Sequence, residues 1–151
     1  MMETISFKVQ EIERSSFHPI IQGQINGEEV LLILDTGASR TVIDKSITSG
    51  MPIIANEHNE PFAAGINAQK ISVEQIELPA ITLGDIEFNN LKVFSSDLRP
   101  ISKLYEELSG IKIHGLLGCD FLVEYKVVVN FKTGMIQLNR NPNWVKSVQE
   151  P

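Results

Sequence analysis

The fold of this chain is decided by the stretch Val30-Leu31-Leu32-Ile33-Leu34-Asp35-Thr36-Gly37-Ala38-Ser39. Five apolar residues come first, and a short apolar run that leads into a turn is typical of a buried β-strand. The strand delivers the Asp35 carboxylate to its own end, where small residues let the backbone turn sharply. Thr41-Val42-Ile43 then resumes a strand pattern. We therefore expect a rigid strand that holds one acidic side chain beside a tight turn.

A hairpin precedes this turn. Ile20 to Ile25 has the pattern of a strand, and Asn26-Gly27 follows it directly. Both turn residues tolerate a positive φ, which a two-residue hairpin turn requires. The hairpin leads straight into the strand that ends at Asp35. A candidate reactive carboxylate therefore lies on a rigid element that can hold it in place.

Apolar and polar residues alternate along several other segments, which predicts short strands. These segments are Ile5 to Val9, Ile71 to Glu74, Ile76 to Leu83, Ile86 to Phe94, Val127 to Phe131 and Met135 to Leu138. Gly84-Asp85 is expected to join two of them in a turn. Met51 to Phe62 is polar and contains proline, so we expect a loop there.

One segment has the pattern of a longer helix. Ser96-Asp97 can cap its start, Pro100 suits its first turn and Gly110 can end it. Between these signals, one helical face would carry Ile101, Leu104, Tyr105 and Leu108. A single helical turn is also expected between Asp44 and Gly50, closed by the glycine.

A second apolar segment with a small-residue turn comes late in the chain, at Ile113-His114-Gly115-Leu116-Leu117-Gly118-Cys119-Asp120-Phe121-Leu122. With the Asp35-Thr36-Gly37 stretch, this segment resembles the retropepsin-like aspartic peptidases. That family carries Asp-Thr-Gly-Ala/Ser early and an apolar-apolar-Gly segment late. The resemblance covers residues 20–138 and implies a mainly β fold, a retropepsin-like acid protease barrel with one helix and a flap hairpin. One domain is expected over residues 1–151.

The resemblance also assigns roles to the residues of the turn. Asp35 would be the catalytic acid, and Thr36 would brace a pair of such acids by hydroxyl-to-backbone bonds across an interface. Gly37 would let a substrate backbone approach closely. Ala38 and Ser39 complete the set that supports the acids and binds substrate main chain.

Two further groups of residues follow from the resemblance. A flexible hairpin, the flap, would cover the cleft, and its tip is expected at Gly65, Ile66 and Asn67. A structural loop would pass beneath the Asp35 turn, and it is expected at Leu116, Leu117 and Gly118. The residues after this loop are expected to form a short helix.

One Asp-Thr-Gly implies two chains. Peptide hydrolysis by this route needs two carboxylates that face one water, one acting as a base and the other donating a proton. As is known for the aspartic proteases as a class, two carboxylates about 3 Å apart cannot both be ionised, so they share one proton. The chain carries the triplet once and is too short for two such lobes. We therefore expect a homodimer in which Asp35 of each subunit completes the pair.

Two interpretations of function remain open. The first is an aspartic endopeptidase that binds an extended stretch of a peptide or protein substrate as an added strand between flap and floor. The second is a catalytically inactive peptide-binding or assembly module with the same fold. A stable monomer would count against the enzyme, whereas a dimer is compatible with both.

Composition limits the other classes of function. The chain has 151 residues and a formal net charge of −6, with no basic run, which argues against nucleic acid as a partner. No segment approaches the roughly 20 apolar residues that a membrane span needs. The single cysteine, Cys119, fits a reducing compartment, so a cytoplasmic location is expected, although a removed signal peptide would leave the same pattern. No cofactor is expected, and Glu57, His58 and Glu60 lie too close together for a metal site.

Four other residues carry expectations of their own. Cys119 stands where viral relatives carry an arginine, and we expect it to be a small buried residue rather than a nucleophile. Asp120 is expected to cap a helix or to meet a partner. His114 is expected to be structural, and His18 is expected at the surface. Because Ala38 offers no hydroxyl to an ionised acid pair, we also expect a working pH nearer to neutral than that of pepsin.

Overall fold

The computed structural model describes residues 2–57 and 73–139, and these are mainly β-strands. The strands of this part of the chain are β1 (Glu3–Ser6), β2 (Lys8–Glu13), β3 (Ser16–Ile25), β4 (Glu28–Leu34), β5 (Val42–Asp44), β6 (Ile53–Glu57), β7 (Val73–Leu83), β8 (Ile86–Ser96), β9 (Gly115–Leu117), β10 (Val128–Asn130) and β11 (Met135–Leu138). The helices are α1 (Lys45–Thr48), α2 (Arg99–Ser109) and α3 (Cys119–Glu124).

The strands form two sheets. The larger sheet has the order β2-β3-β4-β9-β5-β8-β7-β6, and β3 also pairs with β7. This extra pairing closes a ring through β3, β4, β9, β5, β8 and β7, which is the predicted barrel. Gly23 lies opposite Leu83 at the closure, and a Cβ atom at this position would collide with the carbonyl oxygen of Thr82. A glycine is therefore required where the barrel closes.

The smaller sheet brings the two ends of the described chain together in the order β1-β11-β10. Ile5 pairs with Ile136, and both side chains are buried in the main core. That core fills the barrel with aliphatic side chains from both sheets, among them Ile21, Leu32, Ile76, Leu83 and Leu138. Along the described residues, no helix is both long enough and apolar enough to cross a membrane.

Most of the predicted turns are confirmed. β3 and β4 form an antiparallel hairpin whose turn residues Asn26 and Gly27 have φ values of 51° and 79°. β7 and β8 are joined at Gly84-Asp85, and β10 pairs with β11. α2 ends at Gly110, which has a φ of 77° and donates its N–H to the carbonyl of Glu106.

Three local predictions are wrong in part. β6 (Ile53–Glu57) forms inside the predicted loop, because the segment pairs with β7. The predicted first strand is divided at Phe7, whose N–H bonds to the carbonyl of Gly134, so β1 and β2 enter different sheets and Val9 is exposed. The cap of α2 was predicted at Ser96-Asp97, but the N-cap residue is Leu98. The Asp97 carboxylate lies just before it and accepts the N–H of Arg99.

β9 lies between β4 and β5, parallel to the first and antiparallel to the second. The late apolar segment therefore passes beside the strand that leads to Asp35. His114 extends the contact, because its N–H donates to the Leu31 carbonyl at 2.9 Å and its Nδ1 accepts the Leu31 N–H at 3.0 Å. The predicted structural role of His114 therefore has a specific partner.

The hydrogen bond to Nδ1 requires that this nitrogen carry no proton. Burial lowers the pKa of His114, and the positive charge of Lys112 lowers it further. The acidic neighbours that raise this pKa are Asp44, Glu28 and Glu29. The net effect favours the neutral ring, which is the form that can accept from Leu31.

The free energy of unfolding should therefore decrease as the pH drops below 6.5, the ordinary pKa of histidine. The pKa of folded His114 is lowered, so the unfolded chain binds the proton first and acid favours unfolding. The contribution is complete above pH 6.5 and is lost as the pH falls through the folded pKa. In His114→Asn the amide oxygen can accept from Leu31 without titrating. Urea unfolding between about pH 7.5 and about pH 5 should show a smaller loss in this variant, and an equal loss would contradict the assignment.

Candidate active site

Asp35 lies directly after β4, at the start of a tight turn. The N–H of Asp35 donates to the Leu117 carbonyl at 3.0 Å, so β9 holds the backbone of this residue. The Asp35 carboxylate is half-buried, and its Oδ1 accepts the N–H of Gly37 at 2.9 Å. The Ala38 N–H donates to the Asp35 carbonyl at 3.1 Å and closes the turn. The carboxylate is thus oriented by its own loop, and that loop is anchored by a second segment.

The turn has one exposed side and one buried side. Thr36, Gly37 and Ser39 are exposed, whereas Ala38 is only 3% exposed. A Cβ atom at Gly37 would lie 3.1 Å from Asp35 Oδ1, so a larger residue would make a tight contact with the carboxylate. Ala38 packs in a separate apolar cluster with Ile20, Ile33, Ile113 and Leu116. The exposed side is the part of the turn that another chain or a substrate can reach.

The predicted structural loop packs against the Asp35 turn. The Cys119 N–H donates to the Ala38 carbonyl at 2.8 Å, and the Asp120 N–H donates to the Ser39 carbonyl at 3.2 Å. At Gly118 a Cβ atom would lie 2.5 Å from the carbonyl carbon and oxygen of Arg40. Leu116, Leu117 and Gly118 are all buried. The backbones therefore approach so closely that only glycine fits between them.

Thr41 and Asp120 form a polar link that sequence reasoning missed. Thr41 Oγ1 donates to Asp120 Oδ1 at 2.7 Å and accepts the Gly118 N–H at 3.0 Å. The Thr41 N–H donates to Asp120 Oδ2 at 3.0 Å. The helix-capping role expected for Asp120 is wrong, because the N-cap of α3 is Gly118 and has no side-chain capping bond. Asp120 lies in the first turn of α3, where its Oδ1 accepts the Phe121 N–H. In the sequence, nothing distinguishes Thr41 from any other threonine in a strand pattern, so its role could not be predicted.

Cys119 contacts the Asp35 turn. Its Sγ lies 3.1 Å from the Thr36 carbonyl oxygen, to which it can donate. Cys119 was expected to be buried but is half-buried, because it lies at the start of α3 beside this exposed turn. A weak donor of this kind adds a further contact between the turn and the start of α3.

His18 and Tyr105 form a second pair that sequence reasoning missed. Their rings meet edge to face with centroids 5.3 Å apart, and Tyr105 Oη lies 3.3 Å from His18 Nδ1. Burial raises the pKa of the Tyr105 hydroxyl, and the negative charge of Asp35 raises it further. His18, expected at the surface, is half-buried. α2 therefore packs an aromatic side chain against His18 and against the cluster that contains Ala38.

Some predicted residues lie outside the part of the chain that the structure describes. The predicted flap tip at Gly65, Ile66 and Asn67 falls there, as do His58 and Glu60. Among residues 2–57 and 73–139, no three His, Cys, Asp or Glu side chains come together in a group that could hold a metal ion.

The link between Thr41 and Asp120 yields a test of the site's support. Thr41→Val keeps the shape of the side chain but removes Oγ1, so the buried Gly118 N–H and Asp120 Oδ1 each lose this partner. An unsatisfied buried group costs about 1–3 kcal/mol, so urea unfolding should show a loss of that size. Thr133→Val, on the exposed turn between β10 and β11, is the matched control and should change stability by less than about 0.5 kcal/mol. Equal losses in the two variants would contradict the role of Thr41.

Comparisons with known proteins agree with this geometry. Residues 21–121 match the family model described as Aspartyl protease. The solved structure of a retropepsin-like aspartic protease from Rickettsia conorii superposes with a TM-score of 0.51 at 18% identity, covering 91% of this chain and 90% of that one. The retroviral protease-like domain of Ddi1 from Leishmania major gives a TM-score of 0.54 at 14% identity, covering 81% and 88%. No curated protein matches the chain in sequence.

At these identities the two structures show a common fold, and the predicted retropepsin-like architecture is confirmed. The family match covers more than half of the chain and includes both the Asp35 turn and the Gly118 loop. The chain therefore belongs to the aspartyl protease family.

Proposed function

We propose that this protein is an aspartic endopeptidase that acts as a homodimer, with Asp35 of each subunit forming the catalytic pair. The observation that carries the proposal is the Asp35 turn, in which a half-buried carboxylate is oriented by the Gly37 N–H. The exposed Thr36 and Gly37 leave one side of this turn open to a second copy. The printed sequence has a single Asp-Thr-Gly, and a twofold pair of these chains would supply a second carboxylate of the same kind.

The proposed reaction divides two tasks between the paired acids. The ionised Asp35 takes a proton from water as the water oxygen attacks the carbonyl carbon of the scissile peptide bond. The protonated Asp35 of the other subunit donates to the carbonyl oxygen. The Asp35 that took the water proton passes it to the scissile nitrogen as the carbon–nitrogen bond breaks. The hydroxyl formed from the carbonyl oxygen returns its proton to the other Asp35, which leaves a carboxylic acid and an amine. The Gly37 N–H fixes the direction of one carboxylate oxygen, and Thr36 is proposed to brace the pair across the interface.

The proposed substrate is an extended segment of a peptide or protein. Ser39 and Gly37 are exposed beside Asp35, where main-chain groups of a bound segment can reach them. We also propose that residues 1–151 form one domain. The proposed location is the cytoplasm, because a single cysteine suits a reducing compartment.

Cleavage of a mixed peptide library should occur with the native chain and vanish in Asp35→Asn, which removes the base from both subunits. An equal mixture of native and Asp35→Asn chains, allowed to exchange subunits, should have about half the activity of the same amount of native chain alone. Random pairing leaves only half of the native chains in dimers with two intact acids. The measurement is the rate of peptide release at a fixed concentration of native chain.

Asp85→Asn is the matched control, since it removes an exposed aspartate in the turn between β7 and β8. This variant should keep full activity and should not inhibit the native chain in a mixture. An Asp35→Asn chain that leaves native activity unchanged after subunit exchange would show that each chain works alone. A dimeric native chain that cleaves nothing between about pH 3 and about pH 8 would instead favour the inactive peptide-binding module.

The pH–rate profile of the native chain should peak nearer to neutral pH than that of pepsin. Ala38 is buried among aliphatic side chains and offers no hydroxyl that could favour the ionised acid pair. Acid also weakens the hydrogen bond that His114 accepts from Leu31. Initial rates across the pH range, with folding followed in parallel by fluorescence, measure both effects. A maximum at about pH 2–3 in a folded sample would refute this prediction.

A further inference from the structure

Three segments of the chain meet at the side chain of Asp44, which is only 9% exposed. The Asp44 N–H donates to the carbonyl oxygen of His114 at 2.8 Å. Asp44 Oδ1 accepts the N–H of Leu98 at 2.7 Å, and its Oδ2 accepts both the N–H and the hydroxyl of Ser46. The start of α1, the start of α2 and the residues before β9 are therefore held together around one carboxylate.

A cavity of about 620 Å³ lies between these three segments, and we call it the Asp44 cavity. Its volume is within the range of roughly 300–1,000 Å³ that is usual for small-molecule sites. All three segments contribute polar side chains to its lining, among them Lys45, Ser49, Arg99, Ser102, Lys112 and His114. The cavity therefore has the size of a small-molecule site and a lining rich in hydrogen-bond donors.

The Asp44 cavity and the Asp35 turn lie at opposite ends of β9. Asp35 bonds to Leu117, the last residue of this strand, whereas His114 directly precedes its first residue and bonds to Leu31. Three residues of strand, roughly 10 Å, separate His114 from Leu117. None of residues 35–39 lines the cavity. The cavity is therefore a separate place from the candidate active site.

The acidic groups of the cavity already have partners, whereas two of its basic groups do not. Asp44 holds the N–H groups described above, and Asp97 binds two guanidinium nitrogens of Arg99 at 2.7 and 2.9 Å. These hydrogen bonds lower the pKa of Asp97 to about 2, so it stays ionised and paired. Lys45 and Lys112 are exposed and make no ion pair within residues 2–57 and 73–139. Two ammonium groups are thus available to an anion, although the chain has a net charge of −6.

His114 adds a neutral donor to the same lining. Its Nδ1 accepts the Leu31 N–H, so the neutral ring carries its proton on Nε2. In the part of the chain that the structure describes, no group accepts this Nε2–H. The ring is half-buried, and a donor that is partly withdrawn from water favours a partner that accepts a hydrogen bond.

We propose that the Asp44 cavity binds a small molecule through a phosphate group, which Lys45, Lys112 and His114 hold. A phosphate monoester carries close to two negative charges at neutral pH and three acceptor oxygens. Two ammonium groups and one N–H suit these oxygens, whereas a carboxylate would use fewer of the donors. The cavity is larger than a phosphate ion and leaves room for an organic part. The inference is independent of the chemistry proposed for Asp35.

The test uses the full chain and two probes, inorganic phosphate and ribose 5-phosphate, at about pH 7.5. Sodium chloride keeps the ionic strength constant, so that general screening does not change during a titration. Two-dimensional NMR follows the ring nitrogens of His114, and we expect a saturable shift with both probes. His18, which does not line the cavity, is the internal control and should keep its signal. Tighter binding of ribose 5-phosphate would identify an organic phosphate as the ligand, and equal affinities would assign the site to the phosphate ion itself.

Lys45→Ala with Lys112→Ala should weaken the binding of both probes about tenfold, because each ammonium group donates a charge-assisted hydrogen bond. Lys8→Ala with Lys132→Ala is the matched control. It removes the same charge from exposed positions outside the cavity, and it should change the dissociation constants by less than about twofold. Asp35→Asn should bind both probes as the native chain does. Circular dichroism first checks that every variant has native secondary structure.

Two results would overturn the inference. One is the absence of a saturable shift at His114 with either probe up to about 20 mM. The other is a loss of affinity in the control pair as large as the loss in the chain without Lys45 and Lys112. In that case binding would follow the net charge of the protein rather than the residues of the Asp44 cavity.

Discussion

The close backbone contact between the Asp35 turn and the loop that begins α3 is the constraint on which the site depends. The Asp35 N–H bonds to Leu117, and the Cys119 N–H bonds to Ala38. Between these two bonds Gly118 lies against the backbone of Arg40, where no Cβ atom fits. A strand end alone would fix the position of a carboxylate but not its direction. The Gly37 N–H sets the direction, and the segment from Leu117 to Cys119 holds the turn that carries Gly37. Rigid support of this kind is what a reactive group requires.

The sequence predicts those parts of the fold that depend on local backbone chemistry. Asn26-Gly27 and Gly110 are at positions with positive φ, and the turn and the helix end are where those residue types predict them. Asp35 and Gly118 were identified because a carboxylate and a glycine beside apolar runs form a recognisable pattern. The resemblance to a family then connected the two stretches, which periodicity alone cannot do. The β-barrel and the place of the candidate site were therefore predictable.

Contacts set by tertiary register were not predictable in the same way. β6 forms because β7 offers it an edge, although the isolated segment has the composition of a loop. Thr41 and Asp120 meet only after β9 has passed between β4 and β5, and a threonine in a strand pattern gives no sign of this. His18 and Tyr105 meet because α2 packs over the β2–β3 hairpin. The prediction that His18 lies at the surface was wrong because it took no account of α2. The position of α2 depends on packing rather than on propensity.

The two sides of the candidate site differ in how firmly the protein holds them. The Asp35 turn is tied to β9 and α3 by main-chain bonds and by the buried Thr41 hydroxyl, so it has little freedom to adjust. α2 has 11 residues and no fully buried side chain, and a helix of that length is marginal on its own. The helix is held by Tyr105, which packs against the cluster that contains Ala38, and by Ile101, which packs against Val42, Phe94 and Leu98. Apolar packing therefore holds α2, whereas main-chain hydrogen bonds hold the Asp35 turn.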